Sequence, residues 1–258
     1  MSSSRSSRIA RGGLVATFAF SMAAAMTPAC ALAAGDDALI DYPTFKGASA
    51  TLDRNGTADL IFSPGGRQKI LRLTGGGYKQ AGSAYATTKI NLAESFESTF
   101  KVYLHHGKPG ADGFAFLVQG DGPRALGGWG GGLGYRGIKK SVAVEFDTFQ
   151  NTTDPSSNHL AVVMAGDPDT HAATAESSIP LFGKPFTARV AYAAETTTLS
   201  IFVKSLSAGS TEQLVLEKAV DLAAGVGTES AWVGFTASTG TALSKQDIYS
   251  WTVQGAQA

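Results

Sequence analysis

The residues with most chemistry to offer lie in one stretch, Val142 to His159, which reads Val-Ala-Val-Glu-Phe-Asp-Thr-Phe-Gln-Asn-Thr-Thr-Asp-Pro-Ser-Ser-Asn-His. It opens with the two-residue period of a strand, so Val142, Val144, Phe146 and Thr148 point one way and Ala143, Glu145, Asp147 and Phe149 the other. Two carboxylates then share a face about 7 Å apart, where they repel and lose hydration unless something compensates them. Asn151, Asp154 and His159 follow in a turn-rich segment, so carboxylates, an amide and an imidazole can converge on one spot. That composition is a metal site. Hard oxygen donors suit Ca2+, carboxylates with an imidazole nitrogen suit a transition ion such as Mn2+, and one residue set could hold both.

The elements that must position these groups are strands. From Asp41 to Val253 the chain alternates short apolar and polar runs, broken by Gly, Asn, Pro and Ser clusters, with no convincing amphipathic helix and no repeat of 20 to 50 residues. This predicts an all-β sandwich with Phe100, Val102, Phe114, Phe116, Val144, Phe146, Val190, Phe235 and Trp251 inside. Glu195-Thr196-Thr197 reads as a hairpin turn between two alternating runs, and Leu214 to Leu222 as a further strand pair or a connecting turn. His105 and His106, and the run Asp167-Pro168-Asp169-Thr170-His171, read as solvated turns.

The segment Glu-Phe-Asp-Thr-Phe-Gln-Asn-Thr-Thr-Asp-Pro, followed by His159, resembles the metal signature of the legume-type (L-type) lectins, with no ligand missing and no insertion. The likeness extends over about 210 residues and weakens near the C-terminus. It implies a two-sheet antiparallel jelly-roll sandwich of the concanavalin-like kind that binds carbohydrate through metal-organised loops. By that resemblance Glu145, Asp147, Asp154 and His159 would hold the transition metal. Asp147, Asn151, Asp154 and the Phe149 carbonyl would hold calcium. The resemblance also implies a sugar site. Asp112, in Ala111-Asp112-Gly113-Phe114, would accept sugar hydroxyls after a cis Ala111–Asp112 peptide. Gly131 would offer its N–H, Asn151 its amide and Phe149 its ring. The loop Thr241–Gln246 would set specificity, with Thr241 and Ala242 as contacts.

One motif is a decoy and one other function competes, with a purely structural adhesin a weaker third that leaves Asp112, Gly131 and Asn151 unexplained. Gly132, Gly134 and Gly137 match G-x-G-x-x-G, but a strand rather than a helix follows, so no helix N-terminus awaits a pyrophosphate. A glycoside hydrolase on a similar sandwich would carry Glu-x-Asp-x-x-Glu. Here Gln150 stands at the second glutamate, and an amide cannot protonate a leaving oxygen, so no catalysis is expected.

Residues 1–34 read as an export signal. Arg5, Arg8 and Arg11 form the positive start, Leu14 to Met26 is too short to span a bilayer, and Ala31-Leu32-Ala33 is a small-x-small cleavage site. Residues 35–258 are then one lectin domain, in a bacterial secreted form that is periplasmic or released. Cys30, the only cysteine, precedes the cut and could be lipidated only if the signal were read differently. Without cysteine in the mature chain, metal becomes the staple for long loops. The balance of 21 basic and 21 acidic residues falls to about −3 once the three arginines leave, which favours neither nucleic acid nor an anionic membrane. Carbohydrate is the expected partner. Self-association is left open by the sequence.

Overall fold

A computed structural model describes Met1, residues 38–108 and residues 110–256. Apart from Met1, the segment expected to be an export signal, with Cys30 in it, lies outside the described residues. Two antiparallel sheets face each other. In spatial order the first contains Gln213–Ala219, Thr198–Ser205, Phe186–Ala193, Phe96–His105, Lys245–Gly255, Lys69–Gly75 and Asp59–Phe62, with Ala38–Tyr42 also paired to Lys245–Gly255. The second contains His171–Glu176, His159–Met164, Ser141–Asp147, Gly113–Gln119, Ser230–Ser238, Ala81–Ala86 and Leu52–Gly56, with Ile90–Asn91 beside Ser230–Ser238. The all-β jelly-roll expectation is met.

Alternation explains why the sheets pack. Phe96–His105 buries every second residue, and its inward side chains meet those of the opposite sheet. Phe100 sits at the centre, its ring 5.8 Å from Phe116, 5.8 Å from Phe146 and 5.0 Å from Phe235. All nine side chains expected inside are at most 2% exposed. Leu214 to Leu222 resolves into the strand Gln213–Ala219 and a turn leading to a short helix, Leu222–Val226, capped by the Asp221 side chain on the Ala224 N–H.

The Ser141–Asp147 strand differs from an ordinary sandwich strand because both its faces are covered. Val142, Val144 and Phe146 enter the core between the sheets. On the other face Ala143 joins Ala115, Leu117, Ala161 and Val163 in a second, smaller core roofed by Leu133 and Tyr135 of the glycine-rich loop. The carboxylates of Glu145 and Asp147 point under that roof, which sets their electrostatics.

His105 departs from expectation. It ends the Phe96–His105 strand, stacks on Tyr103 with ring centroids 4.3 Å apart, and places Nε2 2.9 Å from a carboxylate oxygen of buried Asp247. Arg72 binds the same carboxylate through two bonds of 2.7 Å. Only His106, exposed with φ 65°, is a turn residue.

Candidate metal and sugar site

Pairing of the middle strands assembles the site. His159 opens its strand directly opposite Asp147, and Ala161 lies opposite Glu145. Asp154 is brought back by a tight loop in which its Oδ2 accepts the Asn151 N–H at 2.6 Å. Asp147 Oδ1 likewise accepts the Phe149 N–H at 2.7 Å, fixing the chain as it leaves the strand. Acceptor atoms of Asp147, Asp154 and His159 then lie within 4.8 Å of one another.

His159 is oriented from outside. Its Nδ1 lies 2.7 Å from the Ser156 carbonyl, which can only accept, so Nδ1 carries the proton and Nε2 presents a lone pair to the cluster. That Nε2 is buried without a hydrogen-bond partner, 3.9 Å from Asp154 Oδ1. Glu145 is oriented too, because the Tyr135 hydroxyl donates to its Oε1. Among the described residues no lysine or arginine forms an ion pair with Glu145 or Asp147. Buried carboxyl groups without a lysine or arginine partner, beside an orphaned imidazole nitrogen, fit a bound divalent ion.

The acid–base balance says the same. Burial pushes the Glu145 carboxyl up to about 8, although the Tyr135 hydrogen bond favours its charged form. Burial, reinforced by the Glu145 charge, holds Asp147 well above the carboxylate range, and burial lowers His159. A carboxyl whose folded pKa exceeds its unfolded one favours folding when protonated. For Glu145 that contribution is complete below the ordinary value of 4.5 and is lost as pH rises through about 8. A bound divalent ion would offset the buried charge that forms on deprotonation, so the gain in thermal midpoint on adding Ca2+ and Mn2+ should grow from about pH 5 to about pH 8. Melting curves with metal and with EDTA measure it, and a gain that shrank with pH would contradict the assignment. Tyr135→Phe removes the hydrogen bond on Glu145 and should weaken transition-metal affinity by about 10- to 100-fold, read by competition with a chelating dye.

Beside the carboxylates lies a second cluster. The Ala111–Asp112 peptide is cis. Asp112 is tied down by its backbone, with its N–H on the Ser238 carbonyl at 3.1 Å and its carbonyl accepting the Thr148 N–H at 3.0 Å. Its Oδ2 is buried without a partner, and burial raises its pKa to about 7, opposed by a backbone hydrogen bond from Gly240. The glycine-rich loop closes the other side. A Cβ on Gly131 would stand 3.0 Å from Asn151 Oδ1, so that residue packs its bare backbone against the Asn151 amide. A Cβ on Gly240 would stand 3.4 Å from Asp112 Oδ2 and 3.4 Å from Gly130 Cα. Asp112, Gly240, Gly130, Gly131 and Asn151 thus form a continuous rim. Phe149, Thr241 and Ala242 line a shallow depression with Gly107, Lys108 and Leu243. Trp129 is half exposed nearby, under Lys79 Nζ at 4.5 Å from its ring centroid.

One residue expected in a solvated loop belongs here instead. His171 begins a strand, and its Nε2 lies 3.6 Å from Glu145 Oε2 and 3.6 Å from Asp154 Oδ1. The reason is a register shift. Ala173 pairs with Val162 on the core side, but the shift pairs His171 with Val163, whose side chain lies on the carboxylate side. Gln150 is exposed beyond the strand end, with Nε2 3.3 Å from the Asp154 and Pro155 carbonyls.

A jelly-roll sandwich with a carboxylate–imidazole cluster beside a glycine-rich rim defines a lectin-type scaffold. A family profile for the legume lectin beta-barrel domain matches residues 44–251, and the chain belongs to that L-type lectin family. It is 31% identical over 194 residues to the basic agglutinin of Psophocarpus tetragonolobus, covering 68% of this chain and 74% of that protein. It is also 31% identical over 225 residues to a lectin of Leucomphalos mildbraedii, covering 77% and 90%. Among solved structures it superposes on the Bauhinia forficata lectin in complex with GalNAc at a TM-score of 0.69 and 27% identity, covering 84% of this chain and 97% of that one. Basic winged bean lectin with Tn-antigen gives 0.72 at 25% identity, with the same coverage.

Proposed function

We propose that this chain is an exported lectin, a non-catalytic carbohydrate-binding protein whose binding loops are organised by Ca2+ and a transition ion such as Mn2+. Glu145, Asp147, Asp154 and His159 would hold the transition ion, and Asp147, Asn151, Asp154 and the Phe149 carbonyl the calcium. The ions would supply fixed positive charge and loop order. The observation that carries the sugar assignment is the unpartnered Asp112 Oδ2, an acceptor at the rim formed with Gly131 and Asn151. Sugar hydroxyls are donors that such an acceptor lacks. The Gly131 N–H and the Asn151 amide would donate to sugar oxygens, while the Phe149 ring faces an apolar patch of the sugar and Thr241 and Ala242 border it.

The second glutamate that the hydrolase pattern needs is absent, since the amide of Gln150 stands at that place in the loop. A glycan array probed with the exported chain, with Ca2+ and Mn2+ and then with EDTA, tests the reading. Metal-dependent retention of particular sugars supports it. Turnover of colorimetric glycosides, lost in Glu145→Gln and indifferent to chelator, would favour the hydrolase instead.

A further inference from the structure

We propose that His171 is a direct ligand of the transition ion, so that the site carries two imidazoles and prefers zinc-like ions to manganese. The inference rests on the metal-dependent reading above and adds a residue to it. Two donors about 2.1 Å from one ion stand about 3.0 Å apart when at right angles and about 4.2 Å apart when opposite. His171 Nε2 to Glu145 Oε2 and to Asp154 Oδ1, both 3.6 Å, and His159 Nε2 to Asp154 Oδ1, 3.9 Å, fall within that span and beyond hydrogen-bond length. Donor atoms of Glu145, His159 and His171 also lie within 4.8 Å of one another, a second grouping that shares His159 with the Asp147–Asp154 one. Independently, the fully buried His159 Nε2 points into the cluster without a partner.

The position of His171 is held by the chain around it. Asp169, two residues earlier, receives Arg136 through two bonds of 2.6 and 2.8 Å, and the Gly137 N–H donates to the Gly166 carbonyl at 2.9 Å. The turn is thereby pinned to the glycine-rich loop whose Tyr135 holds Glu145. The register shift at Val162 and Val163 then turns the imidazole toward the carboxylates.

Chemistry follows from the donor count. Glu145, Asp147, Asp154 and His159 make three carboxylates and one imidazole, a set that tolerates Mn2+. A second imidazole moves the site toward Zn2+, Co2+ and Ni2+, which bind nitrogen more strongly in the divalent series.

The test compares the full chain with His171→Ser and His159→Ala. Each protein is stripped, supplied with excess Ca2+, dialysed against equimolar Zn2+ and Mn2+, and assayed for bound metal by mass spectrometry. The visible absorption of bound Co2+ is recorded alongside. Wild type should retain zinc over manganese by a wider margin than His171→Ser. His171→Ser should lose Zn2+ affinity by about 100-fold, keep most of its Mn2+ affinity and shift the Co2+ bands. Unchanged zinc retention with an unchanged Co2+ spectrum would overturn the proposal, as would equal loss of both ions, which marks a merely structural residue. In either case His159→Ala, by losing both ions, would leave the metal-dependent reading standing. Wild type that binds neither ion overturns both.

Discussion

Stripping the metal should abolish glycan binding while the sandwich stays folded. The two clusters share a backbone: Asp147 lies opposite Gly113, and Thr148, the next residue, donates its N–H to the Asp112 carbonyl. Asn151 links them again, through the Asp154 carboxylate on one side and the bare Gly131 backbone on the other. Without cations, Glu145 and Asp147 take up protons in place of a shared ion, and the loop from Thr148 to Asn158 loses what ties it to them. The core around Phe100 is formed by other residues of both sheets and does not need that loop. Asp147→Asn should act like chelation, because a neutral amide replaces a carboxylate assigned to both ions, and glycan affinity should fall by about 100-fold or more. Calorimetry with the best glycan and far-ultraviolet dichroism measure the two halves. Full binding in EDTA would refute the metal-organised mechanism.

Asp112→Asn should give the opposite split, intact metal uptake with lost sugar binding. The side chain is assigned to no ion, and its Oδ2 is buried without a partner beside Gly240 of the rim. Each hydroxyl hydrogen bond to a charged acceptor contributes about 1.5 to 3 kcal/mol, so losing one already costs about tenfold in Kd. An amide could place its NH2 toward the hydroxyls, which turns an acceptor into a competing donor. Calcium titrations should match wild type. Normal glycan affinity in this variant would remove Asp112 from the sugar site.

How much of this was legible follows from the range of each signal. The strand Ser141–Asp147 and the facing of Glu145 and Asp147 were readable because a two-residue period is local. The core was readable for the same reason, since Phe100, Phe114 and Phe146 sit at alternating positions of their strands. His171 was not readable. Counting by twos from Ala173 and Ala175, which pack on the core, puts His171 on the core side; only the register shift reverses it, and a bulge leaves no mark in composition. The signal that could have raised it was a second histidine a hairpin's length beyond His159. His105 failed for a related reason, because its partner Asp247 is 142 residues away and reaches it only through strand pairing. Tyr135 sits among glycines, and only the folding of that loop back over the sheet brings its hydroxyl to Glu145.

That folded-back loop has a thermodynamic consequence. With Leu133 and Tyr135 buried, Gly130 N–H on the Thr239 carbonyl and Ser238 Oγ–H on the Gly130 carbonyl, the backbone proposed to meet the sugar is immobilised when the chain folds. The conformational entropy of a glycine-rich segment, large in a free loop, is therefore not lost a second time when ligand arrives. In the metal-loaded protein, association should involve little chain reorganisation, and the ordering penalty should fall mainly on the torsions of the glycan. Stiff, branched glycans would then gain more over flexible linear ones than their contact area alone predicts.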